Sequence, residues 1–527
     1  MKILSSHEMT SADRLSVEAG ISIHSLMEAA GSAVARFAQQ RYPQAALVVV
    51  LAGKGNNGGD GMVAARLLAA EGKRRVRLVL LGQASELKGD ALAAWEACGA
   101  QVERVEALEA GTLETALQGA ALIVDAVLGT GFKPPVRGLA AVARDLLASC
   151  STRVLAVDVP SGWDADSLQQ SEPEAFRADA VVTFAAPKLA HLFGHMTAPN
   201  SMGPVVVAPI GTPESAIGSE QGLHWTGSAK ALTETPRNIN SNKGRFGHVL
   251  IVGGALGKAG APSMSSLAAL RAGAGLVTAA VVPEILPTVA QIAPELMLTP
   301  LDLQASEFDA LLKGITVLAI GPGFGTEAAA AAFVPRLLRA TPELPVVLDA
   351  DALNIVAKQE GLLRELSSTV TSKGKPRSVV LTPHPGEFAR LTGLTVKEVE
   401  ADRIRLARDF ATKHGVTLVL KGWRTLVAHP DGHIGVNSTG NPSMAKGGSG
   451  DILTGIVAAM LGQFPDRVAD AVETAVYLHG LAGEFATVAQ DEHTVLATDT
   501  VHHLCDAFQA RATDADYFTW ITGLAKR

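Results

Sequence analysis

Aromatic residues are scarce in this chain of 527 residues, at 4%, and only three cysteines occur. Cys98, Cys150 and Cys505 lie far apart and form neither a CxxC pair nor a zinc spacing, which excludes a thiolate metal fold and fits a reducing compartment. A basic excess is missing too. The 45 Lys and Arg stand against 52 Asp and Glu, a net charge of −7, so a nucleic-acid phosphate backbone is a poor partner. No run of about 18 apolar residues exists, because Pro283 and Glu284 interrupt the most hydrophobic long stretch; no membrane association is expected. Residues 1–8 reach polar and acidic side chains before the apolar segment of a signal peptide could form, so the expected location is cytoplasmic. Charged residues are only 18%, against roughly 25% in an average soluble domain. What is present is 47% hydrophobic residues and 52 Gly, a mixture that suits buried parallel strands in α/β layers.

The length predicts at least two domains at roughly 150 residues each. A strand over 46–51, a Gly-rich loop, a helix over 62–71 and a strand over 76–81 open an alternation that continues to a strand over 154–159. That is the pattern of a Rossmann-like, doubly wound sheet. Leu15, Ala19, Leu26, Ala30 and Val34 have helical spacing, so residues 11–41 form a helical stretch that packs on the sheet or on another subunit, with a homo-oligomer as the expected assembly. Residues 212–243 are polar and lose periodicity. A second α/β pattern follows, with strands over 248–252, 317–320, 346–348, 379–381 and 417–420, and a long helical finish from Asp451 to the end. Residues 367–378 read as an exposed loop insertion. The expected domains are 1–220 and 241–515, joined by a linker over 221–240.

In the first half, Gly53-Lys54-Gly55-Asn56-Asn57-Gly58-Gly59-Asp60-Gly61 follows a strand and precedes a helix, where backbone N–H groups can approach an anion. The dinucleotide fingerprint also wants an acid about 20 residues on, at the end of the second strand. That strand ends in Leu81-Gly82-Gln83, so a dehydrogenase reading is demoted. Asp125 and Asp158 end two further strands, ahead of Gly129-Thr130-Gly131-Phe132-Lys133-Pro134-Pro135 and of Val159-Pro160-Ser161-Gly162. In an open parallel sheet these three loops converge beyond the strands' carboxyl ends. His191 and His195 have an i, i+4 spacing but lack an intervening Glu, and the packed or solvated reading is preferred to a metal pair.

With those three motifs in order, residues 1–211 resemble the NAD(P)H-hydrate epimerase family. The resemblance implies that Asn56, Asn57, Gly58, Gly59 and Asp60, together with Gly129, Thr130, Gly131, Phe132, Lys133, Pro134 and Pro135, hold the hydrated nucleotide. It also implies a potassium ion at Asn57, Asp125 and Ser161, oxygen ligands that suit a hard cation, and a substrate contact at Asp158. Ala29 stands where the family often has Asn.

In the second half, Gly253-Gly254-Ala255-Leu256-Gly257-Lys258-Ala259 is one residue short of a P-loop, and Ala259 replaces the Mg-ligating hydroxyl, so Walker chemistry is rejected. Gly447-Gly448-Ser449-Gly450-Asp451 opens a helix. Its N–H groups make an anion hole, and Asp451 can accept a substrate hydroxyl's proton. This resembles the ribokinase-like small-molecule kinases. With Gly321-Pro322-Gly323, Asp349-Ala350-Asp351, Thr382-Pro383-His384-Pro385-Gly386-Glu387 and Lys421-Gly422-Trp423-Arg424-Thr425, residues 238–510 resemble the NAD(P)H-hydrate dehydratase branch. That resemblance implies contacts from Ala261, Gly323, His384 and Asp451 to the hydrated nucleotide. It implies contacts from Lys421, Gly422, Trp423, Arg424, Thr425 and Gly450 to ADP with Mg2+. Ser443, Lys446 and Ser449 depart from relatives that often have Gly, Thr and Thr, and Lys446 adds a charge near the phosphates.

Together the halves imply repair of NADHX and NADPHX, the hydrated forms of NADH and NADPH: epimerisation in the first half and ADP-dependent dehydration of the S form in the second. Asp158 is the acid–base candidate for the first reaction and Asp451 for the second. Two alternatives are a ribokinase-like small-metabolite kinase with an accessory nucleotide-binding domain, which would stop at a stable phosphate ester, and a non-catalytic nucleotide-binding scaffold.

Overall fold

The computed structural model describes residues 1–197, 203–359 and 361–524. The chain forms two compact units, Met1–Leu223 with Arg511–Arg527, and His224–Ala510.

In the first unit the aliphatic runs become parallel strands β1 (Leu47–Ala52), β2 (Arg75–Leu81), β3 (Val102–Ala107), β4 (Leu122–Ala126), β5 (Arg153–Val157), β6 (Ala180–Phe184) and β7 (Val205–Ala208). Their order across the sheet is β7-β6-β5-β4-β1-β2-β3. Winding reverses between β1 and β4, and ligands of open α/β sheets bind outside the carboxyl ends at such a switch point. The helix Ser6–Glu18 is fixed by a capping box, Ser5 accepting from the Glu8 N–H while Glu8 caps Ser5. The Gly-rich loop differs from expectation: the helix runs Asn56–Ala70, so most of the loop is its first turns. Three glycines there, Gly58, Gly59 and Gly61, carry a propensity cost, but a Cβ at Gly58 would lie 2.0 Å from the Gly53 carbonyl oxygen. Close approach of helix to strand end outweighs propensity.

The second unit's ten-stranded sheet comprises β8 (Leu223–Trp225), β9 (His248–Val252), β10 (Leu276–Val281), β11 (Met297–Pro300), β12 (Val317–Ile320), β13 (Val346–Leu348), β14 (Val379–Leu381), β15 (Thr417–Leu420), β16 (Leu426–Ala428) and β17 (Ile434–Val436). The order is β11-β10-β9-β12-β13-β14-β15-β16-β17-β8, parallel from β11 to β15 and antiparallel through β16 and β17. Its switch point lies between β9 and β12. The helix Ser449–Gln463 is buried from Ile452 to Gly462 and packs tightly on the helix Gly260–Arg271: a Cβ at Gly455 would lie 2.0 Å from the Ser265 carbonyl oxygen.

Two expectations are corrected. Residues 221–240 are not a free linker, because β8 joins the second sheet and the 3-10 helix Thr226–Thr233 buries Thr226 and Lys230. The helical run from Asp451 does not continue to the last described residues: Thr519–Thr522 is a strand that pairs antiparallel with β7 in the first unit, and Phe518 meets Phe37 edge-on at 5.5 Å. The insertion over 367–378 is largely exposed, as expected, and is anchored at its end. Arg377 is 2% exposed and donates to the Leu344 and Leu338 carbonyls and to Thr341.

Candidate active sites

In the first unit a cleft of about 880 Å³ opens over the switch point, within the range of small-molecule sites. It is lined by Asn56, Asn57, Asp60, residues 129–132 and Asp158. Gly58 and Gly59 are buried and do not line it. Lys133 turns aside, its ammonium 2.7 Å from Asp164 and 2.9 Å from Asp166, and Pro134 and Pro135 are likewise outside the lining.

Beneath the cleft, Asp125 at the end of β4 is fully buried. Ser161 donates to it through Oγ at 2.6 Å and N–H at 2.8 Å. Burial still pushes the Asp125 carboxyl up to about 6. Asn57 Nδ2 donates to the Leu128 carbonyl, and the Leu128 N–H donates to Ser161 Oγ, so Leu128 links the three predicted metal ligands. Asn57 Oδ1 is buried with no hydrogen-bond partner among the described residues. An unsatisfied amide oxygen beside a buried carboxylate and a hydroxyl is a donor set that fits K+.

Asp158, just after β5, has φ 66° and is 8% exposed. Lys188 Nζ and Thr183 Oγ1 both donate to its Oδ1 at 2.8 Å. Burial would raise this carboxyl, but the Lys188 ammonium and these hydrogen bonds hold it below its usual value. His191 Nδ1 accepts from the Lys188 N–H at 2.9 Å, which leaves Nε2–H to donate to the Asp158 carbonyl at 2.7 Å. Burial and Lys188 press that imidazole down to about 4, so it is a neutral clamp on the strained Asp158 backbone. Asp60 and Asp13 also line the cleft, and burial raises both carboxyls, Asp60 well above its usual value. The cleft thus holds one carboxyl held low beside two that burial raises. Sequence reading missed Lys188 and the His191 clamp; the packed reading of His191 stands.

In the second unit the loops after β9, β12, β13, β14 and β15 end on one edge. Gly323 and Ala261 are adjacent, since a Cβ on the former would lie 3.0 Å from that of the latter. Asp349, after β13, is 1% exposed and accepts from Thr382 and Thr454 at 2.8 Å each and from Lys421 at 3.2 Å. Lys421 is also 3.9 Å from Glu387. Burial would lower the Lys421 ammonium, but Asp349 and Glu387 hold it up. A Cβ at Gly450 would lie 3.2 Å from Lys421 Nζ, which puts that charge against the first turn of the helix Ser449–Gln463. Asp451 sits in the same turn. Burial and the neighbouring Asp349 push its carboxyl up to about 7 against the pull of Lys421. His384 is exposed, caps the helix Pro385–Thr392, and accepts from the Gly386 N–H at 3.1 Å.

Two predicted contacts are placed differently. Arg424 faces inward, 8% exposed, and donates to the Ser438 carbonyl, while Trp423 keeps a 37% exposed ring. Lys446 donates to the carbonyls of His493 and Val495, so neighbouring backbone engages its charge. Sequence reading also missed Arg403, whose guanidinium holds the carbonyls of Leu420, Lys421 and Trp423 and shapes the 421–425 loop. His479, hydrogen-bonded to the Ser449 backbone and pressed by burial down to about 4, is a neutral support behind the first turn of the helix Ser449–Gln463.

The family pattern described as NAD(P)H-hydrate dehydratase matches residues 249–509, and that described as YjeF-related protein N-terminus matches residues 23–190. The bifunctional NAD(P)H-hydrate repair enzyme of Coxiella burnetii is 38% identical over 93% of this chain and 96% of its own. That of Moorella thermoacetica is 36% identical over 96% of each. A crystal structure of the ADP/ATP-dependent NAD(P)H-hydrate dehydratase of Bacillus subtilis, co-crystallised with ATP and Mg2+, is 32% identical over 55% of this chain and 99% of its own, with a TM-score of 0.47.

Proposed function

The chain belongs to the family of bifunctional NAD(P)H-hydrate repair enzymes, and from that premise we propose a division of labour between its two sites. The enzyme repairs hydrated NADH and NADPH. The first unit epimerises the R and S hydrates, and the second dehydrates the S form at the expense of ADP.

Hydration leaves a hydroxyl on the ring carbon beside the ring nitrogen, a carbinolamine. Its epimerisation, by ring opening or by loss and return of hydroxide, needs proton transfer in both directions. In the first cleft Asp158, whose carboxyl Lys188 holds low, serves as base, and Asp60, whose carboxyl burial raises, as acid. Two carboxyls pushed apart by their surroundings are what such a reaction requires. Residues 129–132 with Asn56 and Asn57 hold the hydrated nucleotide, while Gly58 and Gly59 let the helix approach the strand end. Asn57, Asp125 and Ser161 would hold K+, whose charge would steady the substrate's phosphates and the 127–132 loop.

Dehydration needs a better leaving group than hydroxide. Asp451 takes the hydroxyl proton as oxygen attacks the β-phosphorus of ADP, AMP leaves, and elimination of phosphate restores the dihydropyridine. The N–H groups of residues 447–450 and the Lys421 ammonium meet the developing charge on the transferred phosphoryl group. Ala261, Gly323 and His384 form the hydrate side of the site; Gly422, Trp423 and Thr425 form the adenine side, with Arg424 bracing the loop from within. Asp351 and Glu387 supply hard oxygen donors that suit Mg2+, which would shield the phosphate charge.

The observation that carries this reading is the placement of Asp451 in the first turn of the helix Ser449–Gln463, where a Cβ at Gly450 would lie 3.2 Å from Lys421 Nζ. Incubation with a mixture of R and S hydrates and ADP should restore the dihydronicotinamide absorbance completely, with one AMP and one phosphate per NADH. A stable phosphorylated hydrate as end product would refute it. No described helix is long and apolar enough to cross a membrane. The cytoplasmic location and a homo-oligomeric assembly belong to the same proposal and are tested by fractionation and by sedimentation.

A further inference from the structure

Outside both sets of motifs, His224, His429 and Glu473 bring three ligand atoms within 4.8 Å of one another inside the second unit. They come from three different elements: His224 from β8, His429 from the turn after β16, and Glu473 from the helix Val468–Ala489. The two imidazoles lie nearly parallel, 17° apart. Their Nε2 atoms point at the same carboxylate oxygen, Glu473 Oε1, at 2.6 Å from His224 and 2.8 Å from His429. His429 and Glu473 have side chains only 6% and 5% exposed, whereas that of His224 is 26% exposed and leaves one side open to solvent. Gly435 on β17 makes room for the carboxylate, since a Cβ there would lie 2.8 Å from Oε1.

We propose that His224, His429 and Glu473 form a site for a borderline transition-metal ion of the Zn2+ type. Two imidazole nitrogens and a carboxylate oxygen favour Zn2+, Co2+ or Ni2+ over Mg2+ or K+. Donors about 2.1 Å from a tetrahedral ion stand about 3.4 Å apart, so movement of under about 1 Å by Glu473 Oε1 opens the required space. The exposed edge of His224 provides the way in, and water takes the fourth position. A bound ion ties β8, the β16–β17 hairpin and the long helix together, a structural role separate from the nucleotide chemistry proposed above.

The test uses the full chain, stripped with chelator, re-equilibrated with low-micromolar Zn2+, freed of excess ion and assayed for bound metal. Wild type should retain one Zn2+ per chain more than either His224→Ala or Glu473→Gln. Co2+ in its place should give wild type the intense visible absorption of a four-coordinate site, which both variants lack. His224→Ala sits at a part-exposed position and keeps the test decisive if the buried Glu473→Gln does not fold. Equal Zn2+ content in wild type and His224→Ala, or only the weak spectrum of octahedral Co2+, would overturn the proposal and leave a hydrogen-bonded trio.

Discussion

Replacing Asp451 by Asn keeps the side chain's shape and removes its ability to take a proton. Burial and Asp349 push the wild-type carboxyl up to about 7, so kcat/KM for dehydration should lose about tenfold per pH unit below that point as the base protonates. Bound ADP adds negative charge beside the same carboxyl, so the acid limb of kcat should lie at higher pH than that of kcat/KM. In the Asn variant, dehydration should fall by about 10²- to 10⁴-fold and the limb should vanish, while epimerisation is unchanged. Stability should move the other way. The folded pKa lies above the usual 3.8, so this group's contribution is fully present below about 3.8 and is lost as pH rises through about 7. A shift of about 3 units at about 1.36 kcal/mol each, halved for partial solvent contact, amounts to about 2 kcal/mol. At pH 8 the Asn variant should therefore unfold several degrees above wild type, and near pH 4 the two should coincide. Both rates and the unfolding curve can be read on one preparation. Near-normal dehydration by the variant, or an acid limb that survives the substitution, would remove Asp451 from the mechanism and leave it a residue of the first helical turn.

Asp125→Ala takes away the buried carboxylate of the proposed K+ site, so epimerisation and its dependence on K+ should collapse while ADP-dependent dehydration of the S hydrate persists; equal loss of both in a folded variant would contradict two separate sites. Lys188→Met removes the main counterweight to burial at Asp158 and leaves Thr183, so the acid limb of epimerisation should move to higher pH and the rate below neutrality should drop, whereas an unmoved limb would show that Lys188 does not set this carboxyl. Deleting residues 511–527 removes the strand beside β7 together with Phe518 and Trp520, two buried side chains worth roughly 1.5 to 3 kcal/mol each. The first unit's unfolding transition should fall, with epimerase lost on mild heating before dehydratase, and unchanged heat resistance of epimerase would refute the assignment.

Both sheets were legible because their central strands are short aliphatic runs that stop at Asp or Gly, and in a parallel sheet those stops lie on the ligand edge. The residues that complete the sites were harder to see, for a physical reason in each case. Lys188 belongs to Pro187-Lys188-Leu189-Ala190-His191, which has no spacing relation to Asp158; only the β5–β6 pairing brings the ammonium within 2.8 Å. Arg403 acts on three backbone carbonyls, and backbone leaves no mark in a sequence. The helix begins at Asn56, not Met62, because contact at Gly58 outweighs a local preference. The closing strand was missed since its partner, β7, lies some 310 residues earlier, beyond the reach of periodicity.

The two sites differ in how many carboxyls each lysine must serve, and this sets their chemistry. At Asp158 a buried lysine gives its one carboxylate hydrogen bond to Asp158 and acts on Asp60 and Asp13 only through space, with Thr183 and the Phe184 carbonyl taking its other protons. The anion is stabilised more than burial costs it, so Asp158 is ready to accept a proton at any ordinary pH. Around Lys421 stand Asp349, Glu387 and Asp451, and Asp349 has the nearest claim at 3.2 Å. Asp451 receives what attraction remains while its acidic neighbours repel its charge, and it ends near 7. A phosphoryl-transfer base gains from that: it takes the hydroxyl proton with a driving force that a carboxylate near 4 lacks. Asp349→Asn both frees Lys421 and removes the negative charge that repels Asp451, so the acid limb of dehydration should move to lower pH; an unmoved limb would show that Asp349 does not set this carboxyl.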